Sequence, residues 1–116
     1  MSPFSYMLIG HLFGDYLFQT KWMAVHKAER LSALLVHSTV YTFFILLASL
    51  WGEVEVGGWG FAFIWITHVI LDRRTFVAWW SRTIMRNRDP ELGWLCIMVD
   101  QVFHILILAI VLHYQL

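Results

Sequence analysis

The sequence predicts an all-α fold, a transmembrane four-helix bundle with an interfacial amphipathic helix between the third and fourth spans. Hydrophobic residues make up 59% of the chain and charged residues only 14%, whereas soluble domains have about 45–50% apolar and about 25% charged residues. The mean hydropathy is +0.65. A chain of 116 residues with this composition has too few polar side chains to cover its own surface, so we expect one integral membrane domain over residues 1–116.

Four apolar segments are predicted to cross the membrane, at about residues 3–20, 31–51, 56–72 and 92–114. A span needs about 20 mainly apolar residues, each rising about 1.5 Å. The third segment is the shortest and is therefore expected to tilt little. The first contains Asp15 and begins without Lys or Arg, which argues against a cleavable signal peptide. We therefore expect a permanent first span.

The basic residues of the chain are confined to two alternate loops. They are Lys21, Lys27 and Arg30 between the first two spans, and Arg73, Arg74, Arg82, Arg86 and Arg88 between the third and fourth. Because Lys and Arg in short loops mark the cytoplasmic side, a multi-pass inner-membrane protein with both termini periplasmic is predicted. Residues 73–88 also carry several aromatic side chains, and we predict that they continue the third helix along the inner membrane surface as the interfacial helix.

Charge and cysteine content narrow the classes of partner. Eight Lys+Arg balance eight Asp+Glu, so no charge excess favours nucleic acid, and no such partner is expected. The single Cys96 excludes an internal disulfide. The lipid bilayer is the expected surrounding, and the second arginine-rich loop would suit an anionic lipid or a lipid-linked substrate. The sequence leaves a homo-oligomer open.

Seven ionisable residues lie within the predicted spans in a recurring pattern. The first, third and fourth spans each carry a histidine and an aspartate four residues apart, and the second carries one histidine. The residues are His11, Asp15, His37, His68, Asp72, Asp100 and His104. A spacing of four places each pair on one helix face. The order is reversed on the outward-running fourth span, so every carboxylate lies nearer the cytoplasm and every paired imidazole about 6 Å deeper.

These seven residues predict a metal site in the cytoplasmic half of the bundle. An ionisable group near the membrane centre costs about 2.5–3.5 kcal/mol and normally faces the bundle interior. Imidazole and carboxylate ligands suit zinc, manganese or iron, and helix bundles hold one or two such ions. All seven are candidate metal ligands, and Asp15, Asp72 and Asp100 are also candidate catalytic carboxylates. The first functional hypothesis is a metal-dependent hydrolase of a lipid or lipid-linked phosphate at the cytoplasmic leaflet.

Other functions suit the same residues, so the sequence leaves open whether the chain is an enzyme. The carboxylates and imidazoles would also serve a small transporter or channel that moves protons or a cation. Two facing histidines would ligate haem iron in an electron-transfer bundle. Hydrogen bonds between spans, each contributing about 0.6–2 kcal/mol, are the purely structural alternative. The side chains of Gln19, Tyr41 and Gln101 are candidates for bonds to the ligands.

Several motifs resemble those of a known family. They are GHLFGDY at residues 10–16, QTKWMA at 19–24 followed by Lys27, LVH at 35–37, HVILDR at 68–73 and DQxxH at 100–104. With them the chain resembles, over nearly its whole length, small bacterial and phage membrane proteins named only as a domain of unknown function. The resemblance implies a multi-span inner-membrane protein and no particular reaction. A looser similarity to membrane-bound metal-dependent hydrolases lacks their Thr-His-Ser signature.

Overall fold

The computed structural model describes all 116 residues, and every regular element in it is a helix. The elements are α1 (Pro3–Leu12), α2 (Lys21–His26), α3 (Leu31–Trp51), α4 (Gly58–Asp72), α5 (Thr75–Thr83) and α6 (Gly93–His113). Helices α1 and α4 each pack against both α3 and α6, so the four long helices form a bundle in which α1 and α4 are diagonal. The predicted all-α fold is confirmed.

The first helix is shorter than the predicted span at residues 3–20. After α1 the chain makes a π-helical turn over Phe13–Leu17 and leaves the helix at Phe18. The Thr20 hydroxyl then accepts the backbone N–H of Met23 at 3.3 Å and caps the start of α2. A threonine in this position satisfies a free N–H at a helix start, which explains why a second helix begins there. The other three predicted spans agree with α3, α4 and α6 to within two residues.

The aromatic and basic segment after α4 forms α5. Arg74 has a positive φ of 66°, a left-handed conformation that ends α4 and turns the chain. Helix α5 is therefore a separate element rather than the continuation of α4 that the sequence predicts. Val77 and Ser81 are buried on one face of α5 and Trp79 is exposed, so the helix is amphipathic, as predicted.

Both termini and the α3–α4 connection lie at one end of the bundle. The rings of Tyr6 and Trp51 have centroids 5.1 Å apart, and the Gly57 N–H donates to the Leu116 carbonyl at 3.0 Å. The two connections that carry all the basic residues therefore lie at the opposite end. The long helices alternate in direction along the chain.

The distribution of side chains differs from that of a soluble protein. Of the 26 buried residues, eleven are polar or charged, while large apolar side chains such as Phe43, Leu50, Ile70 and Val102 are exposed. Soluble proteins bury apolar side chains and rarely bury charged ones. Two helices, Leu31–Trp51 and Pro90–His113, are long and apolar enough to cross a membrane, and Gly58–Asp72 is a shorter apolar helix.

The bundle interior has an apolar half and a polar half. The apolar half lies toward the termini and is formed by Met7, Tyr41, Ile45, Ile64, Leu108 and Val111. The polar half lies toward the basic connections. Two glycines bring the first helical segment close enough to α3 to place its acidic residue there: a Cβ on Gly10 would lie 2.9 Å from the Ala48 Cβ, and one on Gly14 would lie 2.9 Å from the Tyr41 Cα.

Candidate metal centre

Five side chains meet in the polar half and form what we name the His/Asp cluster. Its members are Asp15, His37, His68, Asp72 and His104, each at most 4% exposed. Asp15 comes from the π-helical turn, His37 from α3, His68 and Asp72 from α4, and His104 from α6. The sequence-based prediction that all four spans contribute to one buried site agrees with this arrangement.

Asp72 is at the centre of the His/Asp cluster. Its Oδ2 lies 2.9 Å from the Nε2 of His37 and 3.1 Å from the Nε2 of His68, and its Oδ1 lies 3.1 Å from the Nε2 of His104. His37 also donates a hydrogen bond from Nε2 to Asp15 Oδ1 at 3.1 Å. One carboxylate therefore contacts three imidazoles, and one of these imidazoles joins it to the second carboxylate.

Four members are spaced as ligands of a single ion. One ligand atom from each of Asp15, His68, Asp72 and His104 lies within 4.8 Å of the other three. Ligands about 2.0–2.2 Å from a tetrahedral zinc ion are about 3.3–3.6 Å apart. The Nε2 of His68 lies 3.1 Å from Asp72 and 3.7 Å from Asp15, on either side of that range. The four residues could therefore hold a metal ion.

The orientation of two imidazoles also favours a cation. His104 Nδ1 donates to the Asp100 carbonyl at 2.7 Å, so in the neutral ring Nε2 carries the lone pair, and it lies 3.1 Å from Asp72 Oδ1. Neither this nitrogen nor either nitrogen of His68 makes a hydrogen bond, and both oxygens of Asp72 are also without one. A lone pair this close to a carboxylate is repelled unless a metal ion or a proton neutralises the negative charge. A metal-ligating histidine commonly donates its other N–H to a carbonyl in this way.

The buried charges are not balanced within the site. Asp15, Asp72 and Asp100 are buried, and the ammonium of Lys27 is the one buried basic group beside them, with its Nζ 3.0 Å from Asp72 Oδ2. Buried charges are costly unless they are paired. Two negative charges lack a partner, and one divalent cation or two protons would neutralise them.

Lys27 is the functional candidate that the sequence analysis missed. It follows α2 in the first basic loop, where the sequence indicated only a residue that sets topology. In the structure its side chain is 6% exposed and reaches Asp72. Its position beside the QTKWMA motif was the one signal in the sequence that could have indicated a functional role. Residue spacing could not, because it does not predict where the side chain of a loop residue points.

His11 lies beside the four-residue set rather than in it. Its Nδ1 accepts from the Tyr41 hydroxyl at 2.9 Å, and its Nε2 donates to Gln101 Oε1 at 2.7 Å. Both ring nitrogens therefore have partners in this arrangement, although Nδ1 is also 3.7 Å from Asp15 Oδ2. The structure does not place His11 among the converging ligand atoms, and its ligand role stays a prediction.

Asp100 lies beside the His/Asp cluster, where it contacts His104. Its Oδ1 is 3.4 Å from His104 Nδ1, and its Oδ2 accepts from Gln101 Nε2 at 3.3 Å. The assignment of Asp15, Asp72 and Asp100 as catalytic carboxylates also stays a prediction.

Two neutral side chains orient the histidines. The Tyr41 ring stacks on His68 with centroids 3.9 Å apart and planes 21° from parallel, and its hydroxyl bonds to His11. Gln101 connects His11 to Asp100. Tyr41 and Gln101 thus bond to two of the predicted ligands, His11 and Asp100, whereas Gln19 donates to the backbone oxygen of Asp15 at 3.0 Å.

The turn that carries Asp15 is itself informative. Phe13–Leu17 is π-helical, and π-helical turns are rare in proteins and frequently lie at functional sites. The wider turn and Gly14 let this segment lie directly against α3, where Asp15 reaches His37. The sequence gives no signal for a π-turn, because the spacing of His11 and Asp15 is compatible with an α-helix.

Fold and site together define an all-helical protein with a buried His/Asp cluster that could hold a metal ion. The chain belongs to the family described as protein of unknown function (DUF3307), which matches residues 4–116. No curated protein and no solved structure matches the chain. The family agrees with the resemblance found in the sequence and assigns no activity.

Proposed function

We propose that this chain is a multi-pass membrane protein in which α1 with its π-turn, α3, α4 and α6 are the four spans. The many exposed large apolar side chains, together with the buried histidines and aspartates, support this arrangement. Helix α4, with 15 residues, is about 22 Å long, against about 30 Å of hydrocarbon. The basic residues at its end would reach the nearer interface. Both termini are proposed to be periplasmic, in the inner membrane.

The proposed ligand of this protein is one divalent transition metal ion, held by Asp15, His68, Asp72 and His104. The observation that carries the proposal is the convergence of unbonded imidazole nitrogens of His68 and His104 on Asp72. Zinc, manganese and iron all accept these donor atoms. Asp100, His37 and His11 are then left to orient the ligands or to bind a second ion.

The activity we propose for such an ion is hydrolysis of a lipid or lipid-linked phosphate at the cytoplasmic leaflet. A transition metal supplies Lewis acidity toward a phosphoryl oxygen. Asp100, which is 3.4 Å from His104 and outside the four-residue set, is the carboxylate left to accept a proton. The arginines at the same end of the bundle would suit the phosphate. An assembly of several copies is compatible with this proposal.

Elemental analysis of detergent-purified protein tests the metal directly. The native protein should retain a stoichiometric transition metal, and His104→Gln should lose it. His113→Gln is the matched control, since His113 is an exposed residue on the same helix. Equal metal content in the two variants would contradict the proposed ligand set, and a metal-free native protein that binds no added metal would contradict the metal altogether.

A proton or cation path is the second candidate, and Lys27 is the observation that favours it. Its ammonium lies against Asp72, so the His/Asp cluster already accommodates a cation from the protein itself. The cavity beside His68 and His104 is only about 10 Å³, about the space of one water molecule. Flux of protons or a cation into vesicles containing the metal-free protein, abolished by Asp15→Asn, would establish this function instead.

A haem-binding bundle fits the structure less well. The ring centroids of His68 and His104 are 4.7 Å apart, and those of His11 and His104 are 5.7 Å apart. Axial histidines must lie on opposite sides of a flat porphyrin, and the closely packed helices at these rings hold only the small cavity described above. A colourless purified protein is the expected result.

Cysteine labelling from outside the cell tests the orientation. In a Cys96→Ala background, a cysteine at Glu53 should react with a membrane-impermeant reagent, and cysteines at Arg86 should not, because basic loops face the cytoplasm. The reverse pattern would invert the proposed orientation and open the site outward.

A further inference from the structure

An apolar groove runs along the outside of the bundle between α3, α4 and α5. Its volume is about 610 Å³, and its walls include Leu31, Val69, Phe76 and Trp79. Ligand pockets in proteins span about 300–1,000 Å³, so the groove has the volume of a binding site rather than of a packing defect. Arg73 is the one charged residue that lines it.

The charge at the groove has no partner within the protein. Arg73 is exposed, and every ion pair of the chain involves either a histidine or Lys27, so no arginine lies within ion-pair distance of a carboxylate. Arg30 directly precedes Leu31 in the chain and adds a second positive charge near that end. The groove therefore combines apolar walls with an unpaired guanidinium, which favours an apolar ligand with an anionic end.

The groove borders α3 and α4, the two helices that supply most of the His/Asp cluster. Val69 is adjacent to His68, and Arg73 is adjacent to Asp72. An anionic group bound by Arg73 would therefore lie near the end of α4 that carries Asp72. The groove and the buried site are separate, because the first opens on the outer surface and the second is enclosed.

We propose that this groove binds an anionic phospholipid, with one acyl chain along Leu31, Val69 and Phe76 and the phosphate on Arg73. Apart from Arg73, Thr75 supplies the only polar side chain of the walls, so a peptide backbone in the groove would leave most of its polar groups unpaired, whereas an acyl chain has none to pair. The bidentate guanidinium suits a phosphate oxygen pair. The proposal rests on the membrane insertion proposed above and not on the metal, so the two can fail independently.

Quenching by brominated lipids tests the proposal, because Trp79 lines the groove. The purified protein is placed in phosphatidylcholine vesicles that contain a minor fraction of either brominated phosphatidylglycerol or brominated phosphatidylcholine. The difference between the native protein and Trp79→Phe isolates the signal of this tryptophan from the other six. We expect phosphatidylglycerol to be preferred about fivefold at Trp79.

Arg73→Gln should abolish the preference, and Arg82→Gln is the matched control. Arg82 is an exposed arginine on α5 that does not line the groove, so its loss should leave the preference intact. Equal quenching by the two lipids in the native protein, or a preference that survives in Arg73→Gln, would overturn the proposal. Absence of quenching by either lipid would contradict membrane insertion as well, and bound metal would be unaffected in either case.

Discussion

The two halves of the bundle interior come from the same helices, but apolar side chains fill one half and histidine and aspartate side chains fill the other. One helical turn separates them: on α4 Ile64 belongs to the apolar half and His68 to the His/Asp cluster, and on α6 Leu108 and His104 divide in the same way. Apolar packing accounts for the association of the helices. The polar half adds buried ionisable groups, which are costly unless they are paired or bind a cation. Substitutions in the apolar half should therefore mainly lower stability, and substitutions in the polar half should mainly lower metal binding.

Replacement of Asp72 should have the largest effect. Its carboxylate contacts three imidazoles and the ammonium of Lys27. We expect Asp72→Asn to weaken metal binding by on the order of 100-fold or more, beyond the 10–100-fold of groups that only support a ligand. Stability should also fall, because Lys27 loses its partner. Metal titration followed by thermal unfolding measures both, and unchanged metal affinity would remove Asp72 from the site.

A pair of variants on α4 separates the two halves most clearly. Ile64→Ala should lower the free energy of unfolding by about 2–5 kcal/mol, as for other large-to-small core changes, and leave the bound metal per folded chain unchanged. His68→Gln should lose the bound metal. In the absence of metal, it should lower the free energy of unfolding by less than Ile64→Ala does. Reversible unfolding in mixed detergent, with elemental analysis of the folded fraction, measures the pair. Loss of metal in Ile64→Ala would show that the halves are not independent.

Removal of the Lys27 charge should strengthen metal binding. The ammonium lies 3.0 Å from Asp72 Oδ2, where it repels any metal ion held by the same carboxylate. Lys27→Met keeps the length of the side chain, and we expect metal to bind about tenfold tighter, a gain of about 1.4 kcal/mol. Lys21→Met is the control, because Lys21 is exposed. Weaker binding in Lys27→Met would mean that Lys27 supports the site rather than competes with the ion.

The smallest effect is expected at Gln101, which reaches the site only through His11 and Asp100. Gln101→Leu should lower metal affinity by about tenfold or less. The same variant should leave the apolar half intact, with little change in unfolding in the absence of metal. A loss as large as that of Asp72→Asn would place Gln101, or His11 through it, among the ligands.

Much of the division of the bundle interior into an apolar and a polar half could be predicted from the spacing of residues along the helices. Histidine and aspartate four residues apart on three helices, with the order reversed on α6, were sufficient to predict a shared level for the polar groups. The structure brings together Asp15, His68, Asp72 and His104 as a possible set of ligands. Runs of apolar residues likewise predicted the bounds of α3, because a long uncharged segment has few competing conformations.

The features that the sequence did not predict depend on contacts between distant segments. The π-turn relies on Gly14 lying against Tyr41 of α3, and the direction of Lys27 relies on the position of Asp72. The engagement of both His11 nitrogens depends on side chains from α3 and α6. No pattern among neighbouring residues in the sequence predicts any of these contacts.

X-ray absorption of the metal bound to the purified native protein tests the central claim most directly. The account predicts a first shell of nitrogen and oxygen ligands at about 2.0–2.2 Å, with the outer-shell scattering of two imidazole rings from His68 and His104. That scattering should be halved in any His68→Gln protein that still retains metal. A shell of oxygen atoms alone, with no imidazole scattering, would contradict the account.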